Sequence, residues 1–208
     1  MTLRLAAALA LMLGAAALLA FLHLLGEGPG VSLEAGHLRD MKNRVDPPPR
    51  IEPTSLAGMA ALPHHESVAE YSALERRGVS LDGYVQHLMR ASDGDFHLEI
   101  VSHRRLPGDS DTAYVSAEIT PRVRREARNW TYETLVERFR PLLGGVTPWS
   151  GGTRRVRISG WLLYDWQYDS PGSSPRRHAD RLTGWEIHPV TRIEVWDQRK
   201  SGFTELPR

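Results

Sequence analysis

Hydrophobic and polar residues follow three different patterns along this chain. From Leu5 to Leu25 every residue except Gly14 and His23 is apolar. From Glu27 to about His65 the pattern is irregular and broken by prolines. From Glu66 onward the apolar positions become periodic, which makes this stretch the predicted folded domain.

Within the domain, Val68, Tyr71 and Leu74 share a helical face and predict a short helix ending near Arg77–Gly78. Val79–Val85 alternates as a half-buried strand, with Gly83 suited to a bulge. Asp95–Val101 sets Phe96, Leu98 and Ile100 on one face and Asp95, His97 and Glu99 on the other. A turn at Pro107-Gly108-Asp109 leads to Thr112–Thr120. There Ala113, Val115, Ala117 and Ile119 oppose Tyr114, Ser116 and Glu118, and Pro121 ends the strand. A helix follows, with Thr131 as N-cap, Tyr132, Leu135, Val136 and Phe139 as its apolar stripe, and Gly144-Gly145 as its stop. Arg154–Asp165 and Gly184–Asp197 are the last two strands, with Pro189 marking an edge or bulge.

The order is β-β-β-α-β-β, with glycine-kinked strands and the helix between the third and fourth. That is the order of the OB-fold, a five-stranded, partly open barrel. The expected fold class is therefore mainly β with one helix, an OB-fold-like barrel behind an N-terminal transmembrane helix and a Pro-rich stalk. The expected segments are an anchor over 1–26, a stalk over 27–65, the barrel over 66–198 and a frayed tail over 199–208. Some other small α+β sandwich is the competing architecture.

The apolar run is long enough to span a bilayer core, since 21 residues at about 1.5 Å each reach roughly 30 Å. A cleaved signal peptide wants a shorter core, and its one plausible exit here, Gly26-Glu27-Gly28, precedes Pro29. An uncleaved single-pass anchor is the expectation and secretion after cleavage the alternative. Either way the domain is expected outside the cytoplasm, in the periplasm of a bacterium or beyond. Arg4 is the only charge before Glu27. Of 26 Lys+Arg, 25 therefore remain beyond the run, against all 25 Asp+Glu. A neutral exported part excludes a polybasic nucleic-acid binder and confines electrostatic function to local patches. The absence of cysteine excludes a disulfide scaffold, a thiol nucleophile and a zinc ribbon.

Two stretches, Val156-Arg-Ile-Ser-Gly-Trp-Leu-Leu-Tyr-Asp165 and Trp185-Glu-Ile-His-Pro-Val-Thr-Arg-Ile-Glu-Val195, resemble a group of exported bacterial proteins with no established activity. Asp95-x-His97 and Glu118-Ile-Thr-Pro121 also resemble that group, and the similarity covers roughly residues 78–197. It implies a discrete domain in a bacterial envelope and assigns no functional residue.

Two sets of residues could carry chemistry. The connection from Trp166 to Thr183 holds Trp166, Tyr168, Arg176, Arg177, His178 and Arg181. Such aromatic and basic side chains at an OB rim can stack bases or sugars and hold phosphates. His87 and Arg90, in a first loop over Gln86–Gly94, would add to that rim. This set predicts a non-enzymatic binding module, with a nucleic acid strand, a glycan or an envelope protein as partner and no cofactor. The second set is polar and lies on strands: Asp95, His97, Glu118, Glu186 and His188. If those strands are neighbours, the set could hold a divalent metal, and Glu118 or Glu186 could serve as base in a metal-dependent hydrolase acting on phosphodiesters. The plain alternative is a solvated sheet face of His–Glu and Asp–Arg pairs. The basic run Arg122–Arg128 reads as a solvated approach to the helix. No P-loop, GxGxxG or G-x-S-x-G occurs.

Overall fold

The computed structural model describes residues 32–64, 67–104, 112–139, 154–169 and 180–208. The chain divides into two compact units, residues 1–36 and His37–Arg208. Of the first, residues 32–36 are described, and there Ser32 Oγ accepts the Ala35 N–H as helix α1 (Leu33–Lys42) begins. The apolar run expected to span a membrane lies outside the described residues. Among the described residues no helix is long and apolar enough to cross a membrane.

The second unit is mainly β, a mixed sheet of seven strands. Strand β2 (Gly78–Arg90) pairs antiparallel with β3 (Phe96–Val101), which pairs antiparallel with β4 (Tyr114–Ile119). Strand β6 (Arg181–Asp197) then joins β4 in parallel. Strand β5 (Arg155–Tyr164) lies antiparallel to β6 and also to β2. The hydrogen-bonded path β2-β3-β4-β6-β5 therefore returns to its start. Two short strands extend it: β1 (Ile51–Thr54), parallel to β2, and β7 (Gly202–Glu205), antiparallel to β6.

Alternation decides the core. Phe96, Leu98, Ile100, Val115, Ala117, Ile119, Val156, Ile158 and Leu162, all expected to face inward, join one buried cluster with Val79, Leu81 and Val85. Burial of apolar surface on this scale is the main favourable term in folding. Where β5 crosses β6 the register shifts on both sides of Gly160. A Cβ there would lie 2.2 Å from the Pro189 carbonyl oxygen, so only glycine allows this approach. Pro189 occupies the matching bulge of β6.

Several expectations need correction. The stretch expected to be a stalk packs into the unit from His37 onward. It forms the end of α1, then β1, then helix α2 (Leu56–Ala60), whose Met59 is fully buried. Arg44 fastens it, donating to the carbonyls of Glu75 at 2.7 Å, Leu162 at 3.1 Å and His188 at 3.2 Å. Pro53 fits because β1 is an edge strand. The expected tail is β7 plus Leu206, which is buried and accepts the Trp130 indole N–H through its carbonyl.

Helix α3 (Val68–Leu74) is close to its expected place. Among the described residues between β4 and β5 there are two helices where one was expected, α4 (Pro121–Glu126) and α5 (Tyr132–Phe139). The basic run is largely α4, because Thr120 accepts the Val123 N–H and Pro121 sits in the first turn. The first loop is shorter than expected. Strand β2 continues to Arg90, and the Ala91 N–H reaches the Asp95 carbonyl at 2.8 Å to close a tight turn.

Candidate functional site

Register brings the polar residues of three strands side by side. His97 of β3 stands opposite Glu118 of β4, and Ser116 of β4 stands opposite Glu186 of β6. One step along, Glu118 meets His188, whose Nδ1 lies 3.2 Å from Glu118 Oε2. Asp95 shares the face of His97 across the strand start. This face is not solvated: Ser116, Glu118, Glu186 and His188 are all buried, as is Asp95. A buried ionic face must be internally satisfied or filled by a ligand.

The strand set does converge. Asp95, Glu118 and His188 each offer one ligand atom, and those atoms lie within 4.8 Å of one another. His188 is oriented from behind. Its Nδ1 donates to Glu186 Oε1 at 2.8 Å, while its Nε2 makes no hydrogen bond among the described residues and stands 3.4 Å from Asp95 Oδ2. His97 lies beside the group, with Nδ1 2.8 Å from Glu118 Oε1 and 3.1 Å from Ser116 Oγ. Three of the five residues thus form a possible ligand set, and the other two touch it from the side.

Electrostatics follow from burial and neighbours. Burial, helped by the Glu118 charge and opposed by His188, pushes the Asp95 carboxyl up to about 6. Burial also works against ionisation of Glu118, but His188 and His97 outweigh it and hold Glu118 well below the usual carboxylate range. Glu186 is lowered as well, His188 and Arg181 overcoming burial and the Glu118 charge. Burial opposes the charged form of His188, yet hydrogen bonds to Glu118 and Glu186 raise its imidazole to about 9.

A further charged pair, Lys42 with Asp165, lies within the field of Glu186, and the sequence pattern did not reveal it. Lys42 of α1 reaches Asp165 Oδ2 at 2.9 Å. Burial lowers the Lys42 ammonium, but Glu186, Asp165 and Glu118 raise it more. Asp165, fully buried at the end of β5, is pushed up by burial and by Glu186 while Lys42 and Arg181 pull it down. Lys42 was hidden in the segment read as a stalk. Asp165 carried one weak signal, a charge ending the apolar run Trp161-Leu-Leu-Tyr164.

The loop set fares differently. Arg176, Arg177 and His178 lie outside the described residues. Trp166 is partly buried against the core, and Tyr168 belongs to a short 3-10 turn. Arg181 is not at a rim. Its side chain is 2% exposed, its Nη2 donates to Glu186 Oε2 at 2.8 Å and its Nε to the Thr183 carbonyl. The guanidinium lies 3.9 Å from the Tyr168 ring centroid. His87 stands 3.8 Å from Glu99, and Arg90 pairs with Glu133 on the surface. Arg124 of the basic run covers the Phe96 ring at 3.8 Å.

No family model matches the chain, and no curated protein matches it. Among solved structures, asparaginyl-tRNA synthetase of Entamoeba histolytica is similar over 71% of this chain, at 16% identity and a TM-score of 0.38. The same enzyme in complex with asparaginyl-adenylate is similar at 17% identity and a TM-score of 0.36. The chain spans about a quarter of the length of those structures, 24% and 23%. Likeness at this level assigns neither activity nor ligand to the chain.

Proposed function

We propose that this chain is an OB-type binding module whose ligand is a divalent cation, held by Asp95, Glu118 and His188. The OB assignment is supported by the closed strand path β2-β3-β4-β6-β5 with its one parallel pair, β4 with β6. One observation carries the cation reading. A fully buried imidazole holds a nitrogen without a hydrogen bond among the described residues, Nε2, 3.4 Å from the Asp95 carboxylate, while Glu186 fixes its other nitrogen, which also lies 3.2 Å from Glu118. That arrangement matches the carboxylate–histidine–metal pattern, in which the outer carboxylate sets tautomer and basicity. One imidazole and two carboxylates suit Zn²⁺ or Mn²⁺.

We place the module outside the cytoplasm of a bacterium, held by the apolar run Leu5–Leu25. The length of that run and the resemblance to exported proteins support the placement. A second reading, metal-dependent hydrolysis, is favoured by the ligand count. Three protein ligands leave coordination positions for water, as catalytic sites do.

The test is elemental analysis of purified full-length protein, followed by titration of the chelated protein with Zn²⁺ and Mn²⁺. Stoichiometric uptake that is lost in His188→Ala supports the reading. No uptake of either ion removes it, and the hydrolase with it.

A further inference from the structure

A cavity of about 490 Å³ lies where β6 ends, and its lining shares no residue with the cation site. That volume falls within the roughly 300–1,000 Å³ of small-molecule sites. Strand pairing and one loop-closing bond bring its walls together. Strand β7 folds back on β6 and sets Thr204 opposite Val195. The Arg154 N–H donates to the Phe139 carbonyl at 3.1 Å, which brings the start of β5 to the end of α5.

Three guanidinium side chains line this cavity, those of Arg138, Arg154 and Arg199. None of them is in a salt bridge among the described residues. Arg138 and Arg199 are exposed. Arg154 is half-buried, and its Nε is shut off from solvent without a hydrogen bond among the described residues. An arginine held this way by packing keeps its terminal nitrogens for a ligand. Two carboxylates also line the cavity, and both already have partners. Glu205 Oε2 accepts the Nε–H of Arg192 at 2.9 Å, and Asp197 Oδ1 accepts the Arg199 backbone N–H at 2.9 Å. Positive charge is therefore in excess, the more so because Arg192 balances Glu205 from outside the lining.

Several unspent N–H donors with excess positive charge select an oxyanion, since charge-assisted N–H···O⁻ bonds are the strong ones. A phosphoryl group suits more than one guanidinium better than a carboxylate does, because it brings nearly two charges and three acceptor oxygens. The lining is also partly apolar. Val195 and Leu206 belong to the buried core and face the cavity, so a bare phosphate ion would leave that surface unused.

We propose that this cavity binds a small phosphate monoester, its phosphoryl group on Arg154 with Arg138 and Arg199, its organic part against Val195 and Leu206. This site stands whether or not Asp95, Glu118 and His188 hold a cation.

The experiment is calorimetric titration of the full chain in EDTA, which removes any contribution from a bound cation. The probes are phenyl phosphate, inorganic phosphate and benzoate. Phenyl phosphate should bind with a Kd below about 1 mM, and each of the other two about tenfold more weakly. Arg154→Gln should weaken phenyl phosphate about tenfold. The double variant Arg138→Gln, Arg199→Gln changes exposed side chains only and should weaken it by about the same factor, with the Tm of the parent. That Tm separates a lost ligand site from a damaged fold. No binding of phenyl phosphate to the parent, or the parent's affinity retained in the double variant, would overturn the proposal. Benzoate or inorganic phosphate binding as tightly as phenyl phosphate would overturn it too.

Discussion

Glu186 Oε1 accepts the Nδ1–H of His188 at 2.8 Å, and neither side chain touches solvent. The two residues are two apart on β6, so they share a face, and that face is interior. A buried carboxylate bonded to one nitrogen of an imidazole fixes which nitrogen is left for a ligand.

Glu186→Gln tests this positioning. The amide can still accept a hydrogen bond, but it no longer raises the basicity of His188. Cation affinity should fall about 10–100-fold while the circular dichroism spectrum stays that of the parent. Titration calorimetry with Zn²⁺ reads the change. An unchanged affinity would mean that His188 does not ligate through Nε2.

Asp95→Asn separates binding from stability. The Asp95 carboxyl is pushed up to about 6 by burial and by its like-charged neighbour Glu118, so its charge is a burden on the metal-free fold. The amide variant should melt at the same temperature as the parent or higher, yet lose the rise in Tm on adding Zn²⁺. Thermal scans with and without the ion decide it. A lower Tm with the Zn²⁺ response intact would contradict the proposed role.

How much of this was legible in the sequence depends on range. Alternation of side chains alone placed Phe96, Leu98 and Ile100 inward and put His97, Glu118, Glu186 and His188 on matching faces. It could not tell that the polar face is covered. The charged and aromatic neighbours of that face include Lys42, bound to Asp165, and Tyr168, stacked on Arg181, which are far from β4 in sequence and carry no periodic signal. The proline density of residues 46–53 does not distinguish a linker from an edge strand, because an edge strand tolerates Pro53 as well as a free linker does. Arg181 read as a rim residue because it follows a loop. Its two hydrogen bonds turn it inward, and both acceptors come from the next few residues of β6.

Arg44→Met tests whether the segment after His37 belongs to the fold. Its guanidinium serves three carbonyls, one of them that of His188, and also lies 4.6 Å from the Trp161 ring. Losing these bonds should cost about 2–4 kcal/mol, read as a lower midpoint in urea. Cation affinity should weaken as well, since the β6 backbone at His188 loses a restraint. A midpoint within error of the parent would return this stretch to the status of a linker.

The pH dependence of cation uptake has a definite sign. His188 is raised to about 9, so at neutral pH its imidazole holds a proton that a cation must displace. Asp95, at about 6, holds a proton below that pH. Affinity should therefore climb from pH 6 toward 9, with release of at least about one proton per ion near pH 7. Calorimetry in two buffers of different ionisation enthalpy measures the release. Affinity that is flat across this range would contradict the ligand set.

The most direct measurement is anomalous diffraction from crystals of the full chain grown with Mn²⁺. The expected result is a single strong anomalous peak within coordination distance, about 2.0–2.3 Å, of His188 Nε2 and of carboxylate oxygens of Asp95 and Glu118. No peak at saturating Mn²⁺, or a peak only on other residues, would contradict the account.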